Sequence, residues 1–323
     1  KGTNDILPGE LGEEIFVSEA WQQLEAVLTA TAGAYGYREL RTPFFESTEL
    51  FVKGIGDATD IVQKEMFSFS DRGERELTLR PEGTASVVRT FIENSIGKKW
   101  PVSRFYYYGP MFRAEKPQKG RYRQFHQFGV EHIGTAGAEA DVEVIALFWT
   151  MLTRLGLASM QLQINTVGCP ECRPRYHERL REYFADKLAQ LCPDCNDRYA
   201  RNIQRMLDCK VPACQQILSG APAMTDCLCA GCDTSYRELK AGLDNLGLGY
   251  TENPRLVRGL DYYTRTAFEI IHTGIGAQAT IVGGGRYDGL IGASGGPATP
   301  AVGGAFGLER SEERRVGKEC RSR

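Results

Sequence analysis

No stretch of this sequence is apolar for long enough to cross a bilayer, and the opening residues, KGTNDILPGE, hold no apolar core of the kind that starts a secreted chain. Both absences predict a cytoplasmic protein with no membrane contact. Net charge is also scarce: 39 Lys and Arg against 41 Asp and Glu leave a formal −2, so any nucleic acid must be met by local basic patches. A dinucleotide fingerprint is missing, because Gly283-Gly284-Gly285-Arg286 has neither the G-x-G-x-x-G spacing nor a following βαβ unit. Cysteine is absent from residues 1–168, and nine of the ten cysteines fall between Cys169 and Cys232.

What is present is ample for a real core: 323 residues, 42% of them hydrophobic, enough for one large or two ordinary domains. Residues 13–34 carry Ile15, Val17, Ala20, Trp21, Leu24, Val27 and Leu28 at spacings of three and four, which predicts a helix ended by Gly33 and Gly36. Pro43 in ELRTPFFES places the strand that follows at a sheet border; a long helix delivering an edge strand suits a subunit interface, a plain core helix being the commoner explanation. Residues 62–80 predict a β-hairpin turning at Asp71-Arg72-Gly73. Pro81-Glu82-Gly83-Thr84 then leads into an amphipathic helix, with Thr84 as the expected N-cap. The Glu82 carboxylate and Thr84 hydroxyl at this junction suit either capping or an ammonium ligand.

The organising stretch is RFYYYGPMFRAEKPQKGRYRQFHQFGVEHIG, residues 104–134, read as two strands joined by a basic loop. Period-2 alternation puts Tyr107, Gly109, Met111 and Arg113 on one face of the first strand, with Tyr106, Tyr108 and Phe112 on the other. The same rule groups Arg123, Phe125, Gln127, Gly129 and Glu131, and turns His126 away as a structural residue. The loop from Ala114 to Tyr122 brings Glu115, Lys116, Lys119 and Arg121. Guanidiniums bind phosphate oxygens as planar forks, so such a hairpin can hold a polyanion at its mouth and a small polar ligand along its face. A solvated basic edge hairpin is the plainer reading of the same residues.

A helix over 136–155 and a strand over 161–167 follow, and then the composition changes. Cys169/Cys172, Cys192/Cys195 and Cys229/Cys232 are C-x-x-C units, and Cys209 with Cys214 is a looser pair. Short loops of this kind aim two thiolates at one tetrahedral ion, so these eight cysteines predict at most two structural, non-catalytic zinc sites; reduced structural cysteines are the alternative. Beyond them, LVRGLDYY (256–263), the alternating strand TRTAFEII and the triple glycine bring Arg258, Tyr263, Arg286 and Tyr287. The glycines mark a bulge or a close backbone approach to a flat ligand. PAVGGAFGLER predicts a small-residue strand running into a helix at Gly307–Arg310. The last residues, SEERRVGKECRSR, have no apolar face and read as foreign or read-through sequence, a natural basic tail being the alternative.

In order, RTP (41–43), RPEGT (80–84), GPMFRAEKPQKGRYRQFHQFGVE, LVRGLDYY, GGGRYDGL and PAVGGAFGLER resemble the motifs of class II aminoacyl-tRNA synthetases. LVRGLDYYTRT and GRYRQFHQ are characteristic of the histidyl-tRNA synthetase family, and the resemblance covers nearly all of residues 1–310. It implies an α+β fold, a mainly antiparallel sheet flanked by helices with a Cys-rich, mostly helical insertion, in a homodimer. The expected division is a catalytic core at 1–167, the insertion at 168–250 (Cys-rich in 169–232), the core continued at 251–310 and the tail at 311–323. The family's C-terminal anticodon-binding domain has no counterpart here, which implies a catalytic fragment that charges tRNA weakly.

The activity implied is ATP-dependent formation of histidyl-adenylate, with Mg²⁺, and transfer to the 3′ end of tRNA(His). Residue by residue, Arg113 and Arg258 match the pair flanking the α-phosphate, and Arg121 and Arg310 match groups at the outer phosphates and adenine. Glu115 matches an acid near the adenine amino group. Glu82, Thr84 and Gln127 match the holders of the α-amino group; Glu131 and Tyr263 match the readers of the imidazole, with Tyr287 nearby. A non-catalytic paralogue, the regulatory subunit of the ATP phosphoribosyltransferase of histidine biosynthesis, would lack Arg113, Arg121, Arg258, Glu131 and Tyr263. An RNA-binding module of the same fold would keep its pocket without histidine-dependent ATP turnover.

Overall fold

The computed structural model describes residues 1–12, 15–57, 59–117, 121–272 and 280–309. Helix α1 (Ser18–Ala34) leads to β1 (Arg38–Glu39), β2 (Phe45–Ser47) and α2 (Thr48–Ile55). Next come β3 (Phe67–Ser70), β4 (Glu76–Leu79), α3 (Thr84–Glu93) and α4 (Ile96–Lys99), then the long pair β5 (Ser103–Phe112) and β6 (Gln124–Ile133). Helix α5 (Glu139–Arg154) and β7 (Met160–Thr166) precede four helices, α6 (Arg173–Phe184), α7 (Pro193–Arg201), α8 (Pro212–Leu218) and α9 (Ala230–Asn245). The chain then adds β8 (Tyr250–Glu252), β9 (Thr264–His272), β10 (Thr280–Arg286), α10 (Leu290–Ala293) and β11 (Ala301–Gly307).

Eight strands form one sheet in the order β1-β5-β6-β11-β10-β9-β7-β8. Only its outer pairs, β1/β5 and β7/β8, are parallel; every pairing between them is antiparallel. Strands β2, β4 and β3 make a separate small sheet. One face of the large sheet is covered by α1, α5 and α9 through Trp21, Leu24, Leu28, Phe148, Leu239 and Leu243. The other face packs Phe105, Tyr107 and Met111 against Val87, Val88 and Phe91 of α3 and Leu290 and Ile291 of α10. The alternation in 104–134 is thus the register of the sheet centre. Buried residues recur at every second position of β5, and Gly109 faces Gln127, Tyr107 faces Gly129 and Phe105 faces Glu131.

Two local expectations change. The first helix begins at Ser18, because Val17 is extended (φ −104°, ψ 121°) and bridges to Leu7 in parallel, while Trp21 Nε1 holds Ile15 O at 2.7 Å. The hairpin begins at Phe67, because Ile61–Glu65 form a turn of π-helix with Ile61 buried beneath α2. Its turn is where expected: Asp71 Oδ1 accepts from Gly73 N at 2.8 Å and from Arg75 N at 3.0 Å.

The helices α6 to α8, with the start of α9, have a core of their own in which Tyr176, Leu180, Phe184 and Met206 surround six buried cysteines. The far end of α9 belongs to the main core, so this helix ties the cysteine-rich part to the sheet.

Candidate active site

Glu131 lies at the sheet centre, wholly buried. Its Oε1 accepts from Thr84 Oγ1 at 2.6 Å and its Oε2 from the Tyr287 hydroxyl. Burial pushes its pKa up to about 8, against the pull of the hydrogen bonds from Thr84 and Tyr287; the nearby Glu82 carboxylate pushes the same way as burial. Room for the carboxylate comes from its neighbour on β11, since a Cβ on Gly303 would overlap Oε2. Tyr107 lies flat across Gly83 and Gly129, where any side chain would strike its ring.

Glu82 settles the competition at the start of α3. Its Oε2 accepts from Thr84 N at 2.7 Å and its Oε1 from Ala85 N at 2.8 Å, so the carboxylate is the cap. Thr84 is therefore not the N-cap expected from sequence: Gly83 occupies that position, Thr84 is the first helical residue, and its hydroxyl is committed to Glu131.

Beside this cluster opens a cleft of about 380 Å³ lined by Arg113, Glu115, Arg121, Gln127 and Arg258, with Glu269 at its wall. Arg258 Nη1 is 2.5 Å from Glu269 Oε1, and its guanidinium stands 5.6 Å from the centre of the Tyr263 ring. It rests on the bare backbone of Gly283, where a Cβ would collide with it. The close approach signalled by the triple glycine is therefore made by the chain's own Arg258 and, at Gly285, by Tyr263. Arg113 donates from Nε to Pro81 O at 3.0 Å and lies 5.3 Å from the centre of the Phe125 ring. Glu115 pairs with Arg121 at 2.9 Å. Two buried polar atoms at the cleft, Gln127 Oε1 and Arg258 Nε, have no hydrogen-bond partner among the described residues, which marks them for a ligand.

The expected residues thus gather in two adjoining groups, Glu82, Thr84, Glu131, Tyr263 and Tyr287 in the buried cluster and Arg113, Glu115, Arg121, Gln127 and Arg258 in the cleft. The phenol bonded to Glu131 is Tyr287; Tyr263 instead faces Arg258 and stacks, tilted, on Tyr262 at 4.6 Å. Arg310, Lys119 and residues 311–323 lie outside the described residues. His126 turns to the opposite face, edge-on to Trp21, with Nδ1 3.0 Å from Glu309 Oε1. Sequence reasoning missed Glu269 as the partner of Arg258 and Tyr107 as a wall of the cluster. Alternation grouped Tyr107 with Arg113 on the first strand; the register of β5 against β6 then puts it on the face of Glu131. Arg286, by contrast, is a buried structural residue whose Nε reaches Asp141 Oδ2 at 3.0 Å.

All eight candidate metal-ligating cysteines converge. Cys169, Cys172, Cys229 and Cys232 form one set and Cys192, Cys195, Cys209 and Cys214 another, with the sulfurs of each set within 4.8 Å of one another. Separations of 3.6 Å (Cys169–Cys172) and 3.8 Å (Cys169–Cys229 and Cys192–Cys209) suit a tetrahedron with metal–sulfur bonds of about 2.3 Å, whose edge is about 3.8 Å. Cys227 belongs to neither set; its sulfur accepts from Arg179 at 3.5 Å.

Among the described residues no helix is long and apolar enough to cross a membrane. The sheet, the cleft and the cysteine sets can be set beside known proteins. The histidine–tRNA ligase of Desulforamulus reducens is 54% identical over 310 residues, 96% of this chain and 72% of that protein. The one from Geobacter metallireducens is 51% identical over 310 residues, 96% of this chain and 73% of that protein. The crystal structure of apo S. aureus histidyl-tRNA synthetase superposes with a TM-score of 0.78 at 38% identity, over 99% of this chain and 73% of that one. An ATP phosphoribosyltransferase regulatory subunit/histidyl-tRNA synthetase from Bacillus halodurans, at 24% identity and a TM-score of 0.67, shares the fold. The family model for histidyl-tRNA synthetase matches residues 3–172 and 213–310, which hold Glu82, Thr84, Glu131, Tyr263 and Tyr287 of the cluster and Arg113, Glu115, Arg121, Gln127 and Arg258 of the cleft, and with these matches the chain belongs to the histidyl-tRNA synthetase family.

Proposed function

We propose that the chain activates histidine with ATP and transfers it to tRNA(His), as its relatives' name, histidine–tRNA ligase, describes. The observation that carries this reading is the junction of a buried, carboxylate-centred cluster with a cleft lined by three arginines. Histidine's imidazole sits against Glu131, with Tyr263 and Tyr287 beside it; neutral imidazole has one donor and one acceptor edge, which a carboxylate and a phenol satisfy. Its α-amino group meets Glu82, Thr84 and Gln127. The caps on α3 occupy one lone pair of each Glu82 oxygen and leave the others for an ammonium.

The histidine carboxylate attacks the α-phosphorus of ATP, the bond to the bridging oxygen breaks, and pyrophosphate leaves with its electron pair. Arg113 and Arg258 flank the α-phosphate, where negative charge builds on the non-bridging oxygens. Glu115 lies by the adenine amino group, and Arg121, with Arg310, takes the outer phosphates. Mg²⁺ accompanies ATP to offset its charge. In the second step the 3′-terminal ribose hydroxyl of tRNA attacks the histidyl carbonyl and releases AMP. The unpartnered Arg258 Nε and Gln127 Oε1 support these roles, and the retention of Arg113, Arg121, Arg258, Glu131 and Tyr263 speaks against a non-catalytic paralogue.

The cysteine sets hold one structural zinc each; four thiolates without an open position suit a closed site. The working unit is a cytoplasmic homodimer, a reading supported by the exposed Phe44, Phe45 and Phe69 around the small sheet. The core then comprises 1–167 and 251–310, with 168–250 inserted. Incubation with histidine, ATP and Mg²⁺ plus pyrophosphatase should yield enzyme-bound histidyl-adenylate by mass spectrometry. Formation of another aminoacyl-adenylate, or of none by folded protein, would refute the reading.

A further inference from the structure

Residues 253–263, which carry Arg258 and Tyr263, run between β8 and β9 without helix or strand. Backbone outside a ladder is fixed only by what its neighbours supply. Three of the neighbours belong to the cysteine-rich insertion. Arg205 Nη1 donates to Arg258 O at 2.9 Å, Asn202 Nδ2 donates to Asp261 Oδ1 at 3.0 Å, and Arg173 Nη2 donates to Tyr263 O. From the other side Asp261 N reaches Ile55 O at 3.1 Å, and Asp60 lies 3.6 Å from Arg205 Nη2. The segment bearing a candidate catalytic arginine is therefore clamped between the end of α2 and the insertion.

Each of these three residues is tied to a cysteine set. Arg173 directly follows Cys172, and Asn202 and Arg205 lie in the stretch closed by Cys195 and Cys209. That stretch has little else to hold it. Helices α7 and α8 have 9 and 7 residues, shorter than the ~12–15 that stand alone in water. Five of the 15 buried residues of the insertion core are cysteines of the two sets, so metal binding at the thiolates and folding of the insertion are coupled. The sheet, by contrast, has its own aromatic and aliphatic core. Asn202 and Arg205 also lie in the interval, 173–212, outside the family match.

We propose that Arg173, Asn202 and Arg205 are positioning residues for histidine activation. Metal held by the two cysteine sets keeps them in place, so metal loss silences the active site through Arg258 while the catalytic sheet stays folded. This deepens, and rests on, the reading of Arg258 as an α-phosphate ligand and of the cysteine sets as metal sites.

The test uses the full chain with metal bound, the same chain stripped by chelator under reducing conditions and then restored with Zn²⁺, and the Asn202→Ala/Arg205→Ala double variant. Hydrogen–deuterium exchange should show residues 253–263 losing protection in the stripped chain and in the variant, with β5 and β6 unchanged and Zn²⁺ restoring the stripped chain. Metal content of the variant should equal that of wild type. Histidine-dependent ATP–pyrophosphate exchange, which needs no tRNA, should lose about 10- to 100-fold in kcat, while KM for either substrate moves less than about threefold. Unchanged protection of 253–263, or lost protection with unchanged kcat, would overturn the proposal, as would a lowered thermal midpoint with protection and kcat intact. Failure of the functional reading looks different: metal-replete wild type would show no histidine-dependent exchange at all, whereas the protection measurement reads the brace without turnover.

Discussion

The buried cluster around Glu131 and the cleft around Arg258 adjoin yet are built by opposite rules. In the cluster the polar groups satisfy one another: Thr84 and Tyr287 donate to Glu131, and Glu82 caps α3. In the cleft the charges stand in direct pairs along its lining, Arg258 with Glu269 and Arg121 with Glu115, and two buried atoms have no partner among the described residues. On the proposed reading the cluster is a preformed mould for histidine, and the phosphates of ATP would draw the cleft's arginines away from their carboxylates. Recognition of the amino acid would then rest on preorganisation, and chemistry on groups free to change partner.

Removing the cleft's central charge is the severest way to probe that contrast. Arg258→Ala should lower kcat for pyrophosphate exchange by about 10²- to 10³-fold while histidine still binds, as calorimetry would show. Loss of histidine affinity with kcat kept would merge the two regions into one.

Glu131→Gln tests the mould. It keeps the shape but replaces one accepting oxygen by a donating NH2 and removes a titrating group, so kcat/KM for histidine should fall by about 10²-fold, with KM for ATP nearly unchanged. Stability should also change its response to pH. The folded pKa of about 8 lies above the ordinary 4.5, so the folded chain keeps a proton that the unfolded chain has released. The contribution of this group is fully present below pH 4.5 and is lost as pH rises through 8. Denaturation midpoints measured across that range should fall more steeply for wild type than for Glu131→Gln; parallel curves would contradict a Glu131 whose pKa is raised by burial.

Gly303→Ala sharpens the same point by sterics alone. Its Cβ would overlap Glu131 Oε2, so stability should fall by about 1–3 kcal/mol in urea titrations, with a weaker site for histidine. The smallest effect is expected at Cys227. Cys227→Ser should leave the metal content of the chain unchanged, because this cysteine stands outside both sets, whereas Cys229→Ser should remove one ion.

How much of this was legible depends on whether neighbours in space were neighbours in pattern. Alternation grouped Gln127 with Glu131 on one strand and Tyr107 with Arg113 on the other, but that the two groups share a face is set by the antiparallel register of β5 and β6. The spacing of the cysteines singled out the eight that the fold brings together, yet not the pairing of Cys169/Cys172 with Cys229/Cys232 around the other set; that nesting is a tertiary fact. The partnership of Arg258 with Glu269 was hidden for the same reason, since TRTAFEII reads as an ordinary alternating strand whichever residue lies across from it. Thr84 misled because a hydroxyl ahead of a helix usually caps it, and only the fold brings Glu131 within 2.6 Å to claim it.

The most direct measurement is histidine-dependent ATP–pyrophosphate exchange by wild type and Arg258→Ala side by side. Exchange that requires histidine and collapses in the variant is the predicted result. Exchange supported equally by other amino acids, or undiminished in Arg258→Ala, would contradict the division of the site into a histidine mould and an arginine-lined cleft.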